Sequence, residues 1–121
     1  MRDHTKLRAF ELADEVALLI YKLTKDFPKE EMFGLSSQMR RAGISVPSNI
    51  VEGCARLTQI EYRRFLEIAY GSLKELHYQF GLAVRLGYIK DPYAEDGNSK
   101  IVETEKVLGT LLQKIWKSDT H

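Results

Sequence analysis

Residues 40–53 read RRAGISVPSNIVEG, and a proline lies in the middle of a stretch that otherwise has the spacing of an amphipathic helix. Apolar and small residues recur at this spacing from Met39 to Cys54. The row passes Pro47 without losing phase, whereas a loop at that point would give the period no reason to persist. We therefore predict one continuous helix that is kinked at Pro47, because proline removes a backbone donor and its ring presses on the preceding turn.

The face of this helix opposite the apolar row is polar. Its members recur at helical spacing and are Arg41, Ser45, Ser48 or Asn49, Glu52 and Arg56. Because Pro47 leaves the carbonyl of Gly43 without its usual partner, we expect a side chain of this polar row to bind it. We take Pro47, Asn49, Glu52 and Gly53 as the structural motif of the segment.

Helical periodicity also marks the chain before and after this segment. A first helix covers about Phe10 to Phe27 and ends at Pro28, since the residue before a proline is driven out of the α region. The second helix, which contains Pro47, starts near Ser36 or Ser37, either of which can cap it.

The third helix covers about Gln59 to Leu86, with Thr58 as its N-cap and Gly87 as a C′ glycine. Gly71 inside it indicates close helix packing. We predict the fourth helix from Lys100 to Trp116. Asp91 and Pro92 resemble a helix start, but EDGN at 95–98 would weaken a helix there.

Four amphipathic helices with short connections predict an all-α fold, an antiparallel up-down-up-down four-helix bundle. The length of 121 residues suits one domain, so we expect residues 1–121 to form a single unit. The apolar rows on the first and third helices are wider than one small bundle needs. This excess predicts a subunit interface.

Composition limits the classes of function. The chain has 44% hydrophobic and 29% charged residues, and its longest aliphatic run, VALLI at 16–20, is far shorter than the ~20 residues of a membrane span. The single cysteine excludes an intramolecular disulfide. These features favour a cytoplasmic protein with no membrane partner.

The net charge is only +1, but residues 40–64 hold five arginines and two glutamates, a local net of +3. Arginine suits phosphate and carboxylate partners better than lysine does, because its guanidinium is a planar, bidentate donor. The candidate nucleic-acid-binding residues are Arg40, Arg41, Arg56, Arg63 and Arg64. The alternative is that the arginines pair with acids of neighbouring helices or subunits.

Patterns typical of catalysis or metal binding are missing from the sequence. ELH at 75–77 lacks the Glu-x-x-His spacing of di-iron bundles, and no Cys-x-x-Cys or glycine-rich phosphate loop occurs. Cys54 lies on the apolar row and is expected to be a small core residue. We therefore expect no metal, no cofactor and no catalytic residue.

The stretches at 27–53 (FPKEEMFGLSSQMRRAGISVPSNIVEG), 65–76 (FLEIAYGSLKEL) and 85–89 (RLGYI) resemble the 23S rRNA intervening-sequence protein family, also called "four helix bundle protein". The resemblance covers residues 7 to about 112. It implies a four-helix bundle without enzymatic activity that assembles into a homopentameric ring. The accessory variability determinant proteins of diversity-generating retroelements look similar, and that likeness implies nucleic acid and a reverse transcriptase as partners.

Two hypotheses follow from the residues and the resemblance. In the first, a non-enzymatic homo-oligomer binds RNA or DNA through the five arginines. In the second, the protein is an interaction scaffold whose arginines serve subunit or partner contacts, with no nucleic-acid binding.

Overall fold

The computed structural model describes residues 2–119, and residues 1, 120 and 121 of the predicted domain lie outside this part. Within it the chain forms four α-helices and no β-strand, which confirms the all-α prediction. The helices are α1 (Arg8–Thr24), α2 (Leu35–Cys54), α3 (Gln59–Arg85) and α4 (Tyr93–Asp119), and short 3₁₀ turns lie at His4–Lys6 and Lys29–Glu31.

The helix α2 runs unbroken through Pro47, so the predicted continuity is confirmed. The predicted kink at this residue stays a prediction. The helix begins at Leu35, next to the predicted start near Ser36 or Ser37, but the predicted serine cap is wrong because neither serine caps it. The carboxylate of Glu31 serves instead and accepts the Leu35 N–H at 3.0 Å.

The ends of α3 are those that the sequence predicts. The side chain of Thr58 accepts the Glu61 N–H at 3.2 Å, which makes it the N-cap. Gly87 follows the helix with a φ of 82°, a backbone conformation that glycine adopts without a steric penalty.

The helix α4 begins at Tyr93, seven residues before the predicted Lys100. The EDGN stretch is helical because Gly97 is buried against Phe80, whose ring occupies the space where a Gly97 side chain would project. Asp91 supports the start, since its carboxylate accepts the Glu95 N–H at 3.1 Å.

Each helix packs against two others, in the order α1–α2–α3–α4 and back to α1, and within residues 2–119 the diagonal pairs bring no Cα atoms within 8 Å of each other. In each packed pair the contacting residues run in opposite order along the two helices, which is an antiparallel arrangement. Between α1 and α2 the contacts are Thr24–Arg40 and Ile20–Gly43, and between α2 and α3 they are Arg41–Glu75 and Ser45–Ser72. Between α3 and α4 they are Phe80–Gly97 and Tyr70–Gly109, and between α4 and α1 they are Lys100–Glu15 and Glu103–Arg8.

All four helices contribute fully buried side chains to one core, including Ile20, Met39, Leu73 and Leu108. Cys54 is buried among them as predicted, and the loss of solvent contact raises the pKa of its thiol. No helix in residues 2–119 combines the length and the hydropathy that a membrane span requires.

Candidate interaction surfaces

The polar row of α2 packs against α3 and forms a seam between the two helices. Arg41 Nη2 lies 2.7 Å from Glu75 Oε2, and its guanidinium also donates to Gln38. One turn further on, the hydroxyls of Ser45 and Ser72 are 2.9 Å apart. We call this contact the polar seam and define it by Arg41, Ser45, Asn49 and Glu52 on α2, Arg56 in the turn after α2, and Ser72 and Glu75 on α3.

The sequence leaves open whether Ser48 or Asn49 belongs to the polar row, and in the structure it is Asn49. Its Nδ2 donates to the Ser45 carbonyl at 2.8 Å and lies 3.0 Å from the Ser45 hydroxyl, whereas Ser48 is exposed. The sequence predicts a bond to the carbonyl of Gly43. The Asn49 amide instead binds the carbonyl of Ser45, two residues after Gly43, because position 49 lies one turn after position 45 on the helix.

The C-terminal end of the seam holds Arg56 in place. Its Nη2 lies 2.8 Å from Glu52 Oε1, and its guanidinium carbon lies 4.6 Å from the ring centroid of Phe65. Gly53 is buried beside it, where a Cβ would lie 3.0 Å from the Phe65 Cβ and 3.3 Å from the Tyr62 carbonyl oxygen. The motif residues Glu52 and Gly53 thus fix how α2 ends against α3.

The other three candidate arginines point to different neighbours. Arg40 donates from Nε to the Thr24 hydroxyl at 2.8 Å and lies over the ring of Tyr21. The Arg63 guanidinium lies 5.0 Å from the ring centroid of Trp116 on α4. Arg64 is exposed and has no hydrogen bond or ion pair within residues 2–119.

The five arginines therefore do not form one patch. Arg41 lies thirteen residues before the end of α2 at Cys54, about 20 Å along the helix axis, and Arg56 lies in the turn beyond that end. Arg63 faces α4 and Arg64 faces solvent, although both follow the short turn after Arg56. The five arginines are close together in the sequence, but in the fold they lie on different parts of the surface.

A shallow apolar groove lies between α1 and α2 on the outside of the bundle. It has a volume of about 330 Å³ and is lined by Leu18, Tyr21, Ile44 and Val51 together with the buried ring of Pro47. Leu18 is 66% exposed and Ile44 is 49% exposed. We call this surface the α1–α2 groove. Single exposed apolar residues are ordinary, but a contiguous set on one face indicates a binding surface.

A second exposed apolar feature is the connection between α1 and α2. Phe33 is 91% exposed and Met32 beside it is 58% exposed. We call residues 28–34 the Phe33 tip. Sequence patterns missed both the tip and the groove, because burial periodicity shows which face of a helix is apolar and not which part of that face a neighbouring helix covers.

The protein also exposes more surface than its size requires. Its accessible surface is 7348 Å², whereas a folded monomer of 13.9 kDa exposes about 6,700 Å² on average. This exposed area includes the apolar side chains of the α1–α2 groove and of the Phe33 tip.

One titratable cluster joins α3 to α4. His77 Nδ1 lies 2.8 Å from Glu105 Oε2, its Nε2 lies 3.1 Å from Asn98 Oδ1, and Lys74 lies 3.4 Å from the same Glu105 oxygen. These polar contacts link two helices. No group of three potential metal ligands occurs within residues 2–119, and no nucleophile stands beside His77.

The fold defines a class of protein: a small all-α helical bundle that, within the described residues, holds no group of three potential metal ligands. The chain belongs to the 23S rRNA-intervening sequence protein family, whose family model matches residues 5–110. The resemblance seen in the sequence is thereby confirmed.

A crystal structure from Bacteroides thetaiotaomicron VPI-5482 is similar to this chain. It is described as a protein of unknown function from the S23 ribosomal protein family. The two sequences are 27% identical, and the match has a TM-score of 0.79 over 87% of this chain and 95% of that one. No curated protein matches the sequence. Neither the family nor this neighbour indicates an enzymatic class.

Proposed function

We propose that this protein is a non-enzymatic homo-oligomer that acts as an interaction scaffold and assembles through its α1–α2 groove. The observation that carries this proposal is the set of four large apolar side chains, Leu18, Tyr21, Ile44 and Val51, exposed around one groove. The ring of five copies that the family resemblance implies is the expected form of the assembly.

This face contributes part of the free energy that association needs. Fully burying one large apolar side chain contributes about 1.5–3 kcal/mol, and because these four are 37–66% exposed, covering them supplies roughly half of the full sum, about 3–6 kcal/mol. The loss of translational and rotational freedom costs about 4–15 kcal/mol, so the face needs further contacts around it. A standard interface buries about 800 Å² on each partner, which is larger than the groove itself.

The arginines support the scaffold role. Within residues 2–119, Arg40, Arg41, Arg56 and Arg63 each contact a hydroxyl, a carboxylate or an aromatic ring of their own chain. A guanidinium engaged in this way has less of its five-donor set left for a phosphate. We therefore assign these side chains to holding helices together.

The test is the mass of the protein in solution, measured by light scattering coupled to size-exclusion chromatography. The wild type is expected to elute as an oligomer. Ile44→Asp places a charge in the groove and is expected to give monomers, whereas Tyr78→Asp, on the exposed face of α3, keeps the wild-type mass. A monomeric wild type at working concentrations contradicts the proposal.

Nucleic-acid binding is a second candidate function, and Arg64 is the observation that favours it. Its guanidinium is exposed without a partner in the described part of the chain, and a ring would display one copy per subunit. The family description also refers to 23S rRNA. Under this proposal RNA or DNA, and a protein such as a reverse transcriptase, would be the partners.

Fluorescence anisotropy with a labelled RNA at low salt tests this second candidate. If Arg64 binds a phosphate, Arg64→Ala lowers affinity and reduces the slope of log K against log salt by about 1 per subunit contact. Arg85→Ala, an exposed arginine at the other end of α3, serves as the matched control. Equal affinity of Arg64→Ala and wild type would reject a role for Arg64.

A further inference from the structure

We infer that a small cavity between the end of α1 and the start of α4 binds a free aliphatic amino acid. The cavity has a volume of about 180 Å³. We call it the α1–α4 cavity and define it by its lining, which is Lys22, Leu23 and Asp26 together with residues 88–90 and Tyr93. This inference adds a ligand site to the scaffold proposed above and does not depend on how the copies assemble.

Charges of both signs line the α1–α4 cavity without pairing with one another. The ammonium groups of Lys22 and Lys90 and the carboxylate of Asp26 border the same space. Within residues 2–119 none of these three side chains forms an ion pair or a hydrogen bond. Asp26 lies two residues beyond the end of α1, so it lacks the helical geometry that pairs positions four apart.

This set of charges selects the chemistry of the ligand. A molecule that carries an ammonium and a carboxylate close together can bind Asp26 through the first and a lysine through the second. A simple anion or a simple cation meets only one part of the set and leaves the other part unpaired. The lining therefore favours a small zwitterion over an ion of one sign.

The charges next to the cavity do not cancel this pattern. Asp91 follows Lys90, but its carboxylate accepts the Glu95 N–H at 3.1 Å and does not line the cavity. Lys25 precedes Asp26, is exposed and likewise lies outside the lining. Two cations and one anion thus remain around the space itself.

The rest of the lining forms an apolar wall. Ile89 is buried in the core, and Leu23 packs against the core. The Tyr88 side chain is fixed, because its hydroxyl donates to Glu31 at 3.0 Å and its ring centroid lies 5.3 Å from that of Phe27. Side chains that are already ordered lose little entropy when a ligand binds. An aliphatic side chain of the ligand can lie against this wall.

The volume limits the size of the ligand. A cavity of about 150 Å³ accommodates benzene, so a cavity of this order suits a ligand of roughly six to nine non-hydrogen atoms. The amino acids from alanine to leucine lie in this range. Sites for larger organic ligands have volumes of about 300–1,000 Å³, so the α1–α4 cavity is too small to enclose a nucleotide.

Titration of ¹⁵N-labelled protein with L-leucine, followed by NMR, tests the site. The amide signals of Leu23, Asp26, Ile89 and Tyr93 are expected to shift together and to saturate. The expected dissociation constant is on the order of 1 mM, because so small a ligand in a partly open cavity makes few contacts.

Two analogues of leucine separate its charges while keeping its apolar body. 3-Methylbutylamine lacks the carboxylate, and 4-methylpentanoate lacks the ammonium. Each is expected to bind roughly three- to fivefold more weakly than leucine, since a charged contact near the surface contributes a factor of this size.

Variants of the lining are expected to affect the analogues selectively. Asp26→Asn weakens the binding of leucine and of 3-methylbutylamine, but it does not weaken the binding of 4-methylpentanoate, which has no ammonium. The double variant Lys22→Gln with Lys90→Gln weakens the binding of leucine and of 4-methylpentanoate and spares 3-methylbutylamine. A general loss of structure would not produce this crossed pattern, and circular dichroism verifies that each variant is helical.

Lys25→Gln is the matched control. It removes an exposed lysine that is adjacent to Asp26 in the sequence but does not line the cavity, and it is expected to bind leucine as the wild type does. Equal losses in Lys25→Gln and in the double lysine variant would show that only the general charge of this end of the bundle matters, and they would reject the site.

The remaining outcomes also decide the inference. If leucine gives no saturable shift, or shifts only signals away from the α1–α4 cavity, the inference is wrong. Equal binding of leucine and both analogues would mean that the cavity accepts any small apolar molecule, which rejects the choice of a zwitterion. None of these results changes the mass of the protein in solution, so the scaffold proposal is tested separately.

Discussion

At the scale of single residues, Gly97 shows how one missing side chain lets two helices approach. A Cβ at this position would lie 2.8 Å from Phe80 Cε2, and Phe80 is a buried residue of the core. Gly71, which from the sequence indicates close packing, is exposed and has no atom within 4 Å of a Cβ built there. Periodicity alone does not distinguish the two glycines, because the difference lies in the residue on the neighbouring helix.

The pair gives a matched prediction. Gly97→Ala is expected to destabilise the protein, since overpacking costs about 1–3 kcal/mol and the gain in helix propensity returns only about 0.5–1 kcal/mol. Gly71→Ala meets no neighbour and is expected to stabilise by about 0.5–1 kcal/mol. Urea unfolding followed by circular dichroism measures both. A stabilising Gly97→Ala would show that Phe80 moves aside at little cost.

The hydroxyl of Tyr88 provides a prediction for alkaline pH. Its hydrogen bond to Glu31 raises the pKa of the phenol above the ordinary 10.0, with burial adding to the effect. Since the pKa is raised in the folded state, the bond stabilises the fold below pH 10 and this contribution is lost as the pH rises through the folded-state pKa. Tyr88→Phe is therefore expected to melt at a lower temperature than wild type at pH 8.

The same two proteins are expected to melt at similar temperatures once the pH exceeds the raised pKa of the Tyr88 phenol and the phenol is ionised. Tyr78→Phe is the control, because the Tyr78 hydroxyl has no hydrogen bond in the described part of the chain. A difference between wild type and Tyr88→Phe that persists unchanged at high pH would show that the lost contact is not the hydrogen bond.

At the scale of the helices, the sequence predicts which segments are helical better than it predicts what each face contacts. The polar row of α2 is visible as a period, and the structure confirms that these residues share a face. The period does not reveal that Glu75 and Ser72 lie opposite them, because that depends on the placement of α3. The five arginines therefore suggest one open patch in the sequence, whereas in the fold only Arg41 and Arg56 belong to the seam.

Pro47 gives the prediction that belongs to α2. An interior proline costs a helix about 3 kcal/mol, and its restriction of the unfolded chain returns roughly 1 kcal/mol. Pro47→Ala is therefore expected to straighten α2, to restore an N–H for the Gly43 carbonyl and to raise the free energy of unfolding by about 2 kcal/mol. Urea unfolding at one fixed protein concentration and a crystal structure of the variant measure the two effects.

Ser48→Ala, the next position and exposed, is the control and is expected to stay within about 0.5 kcal/mol of wild type. If Pro47→Ala instead lowers the stability, the bundle depends on the bend or on the packing of the proline ring. In that case the proline is a packing residue of the groove and not a tolerated irregularity.

At the scale of the whole molecule, the bundle is predictable from its pattern and its assembly surface is not. Each of the four helices has an apolar stripe that must be buried against another element, so the all-α class follows from the helical periodicity of the sequence alone. The groove and the tip arise from residues that the four helices leave uncovered, and this remainder appears only when the packing is known. The wide apolar row on α1 was the one signal in the sequence that pointed toward them.

Assembly couples the stability of the bundle to the protein concentration, and this gives the last prediction. If the folded chains associate and the unfolded chains do not, mass action favours the folded state. A tenfold rise in concentration corresponds to about 1.4 kcal/mol, and 1 kcal/mol shifts the melting temperature of a domain this small by about 4 °C. The wild type is therefore expected to melt about 4–6 °C higher for each tenfold increase.

Ile44→Asp provides the comparison, because a monomer gains nothing from concentration. Its melting temperature is expected to be constant over the same range, and differential scanning calorimetry at three concentrations tests both proteins. A wild-type melting temperature that does not change with concentration would mean that the α1–α2 groove remains open to water in the folded protein. The exposed leucine, isoleucine and valine would then have to be covered by a partner other than this chain.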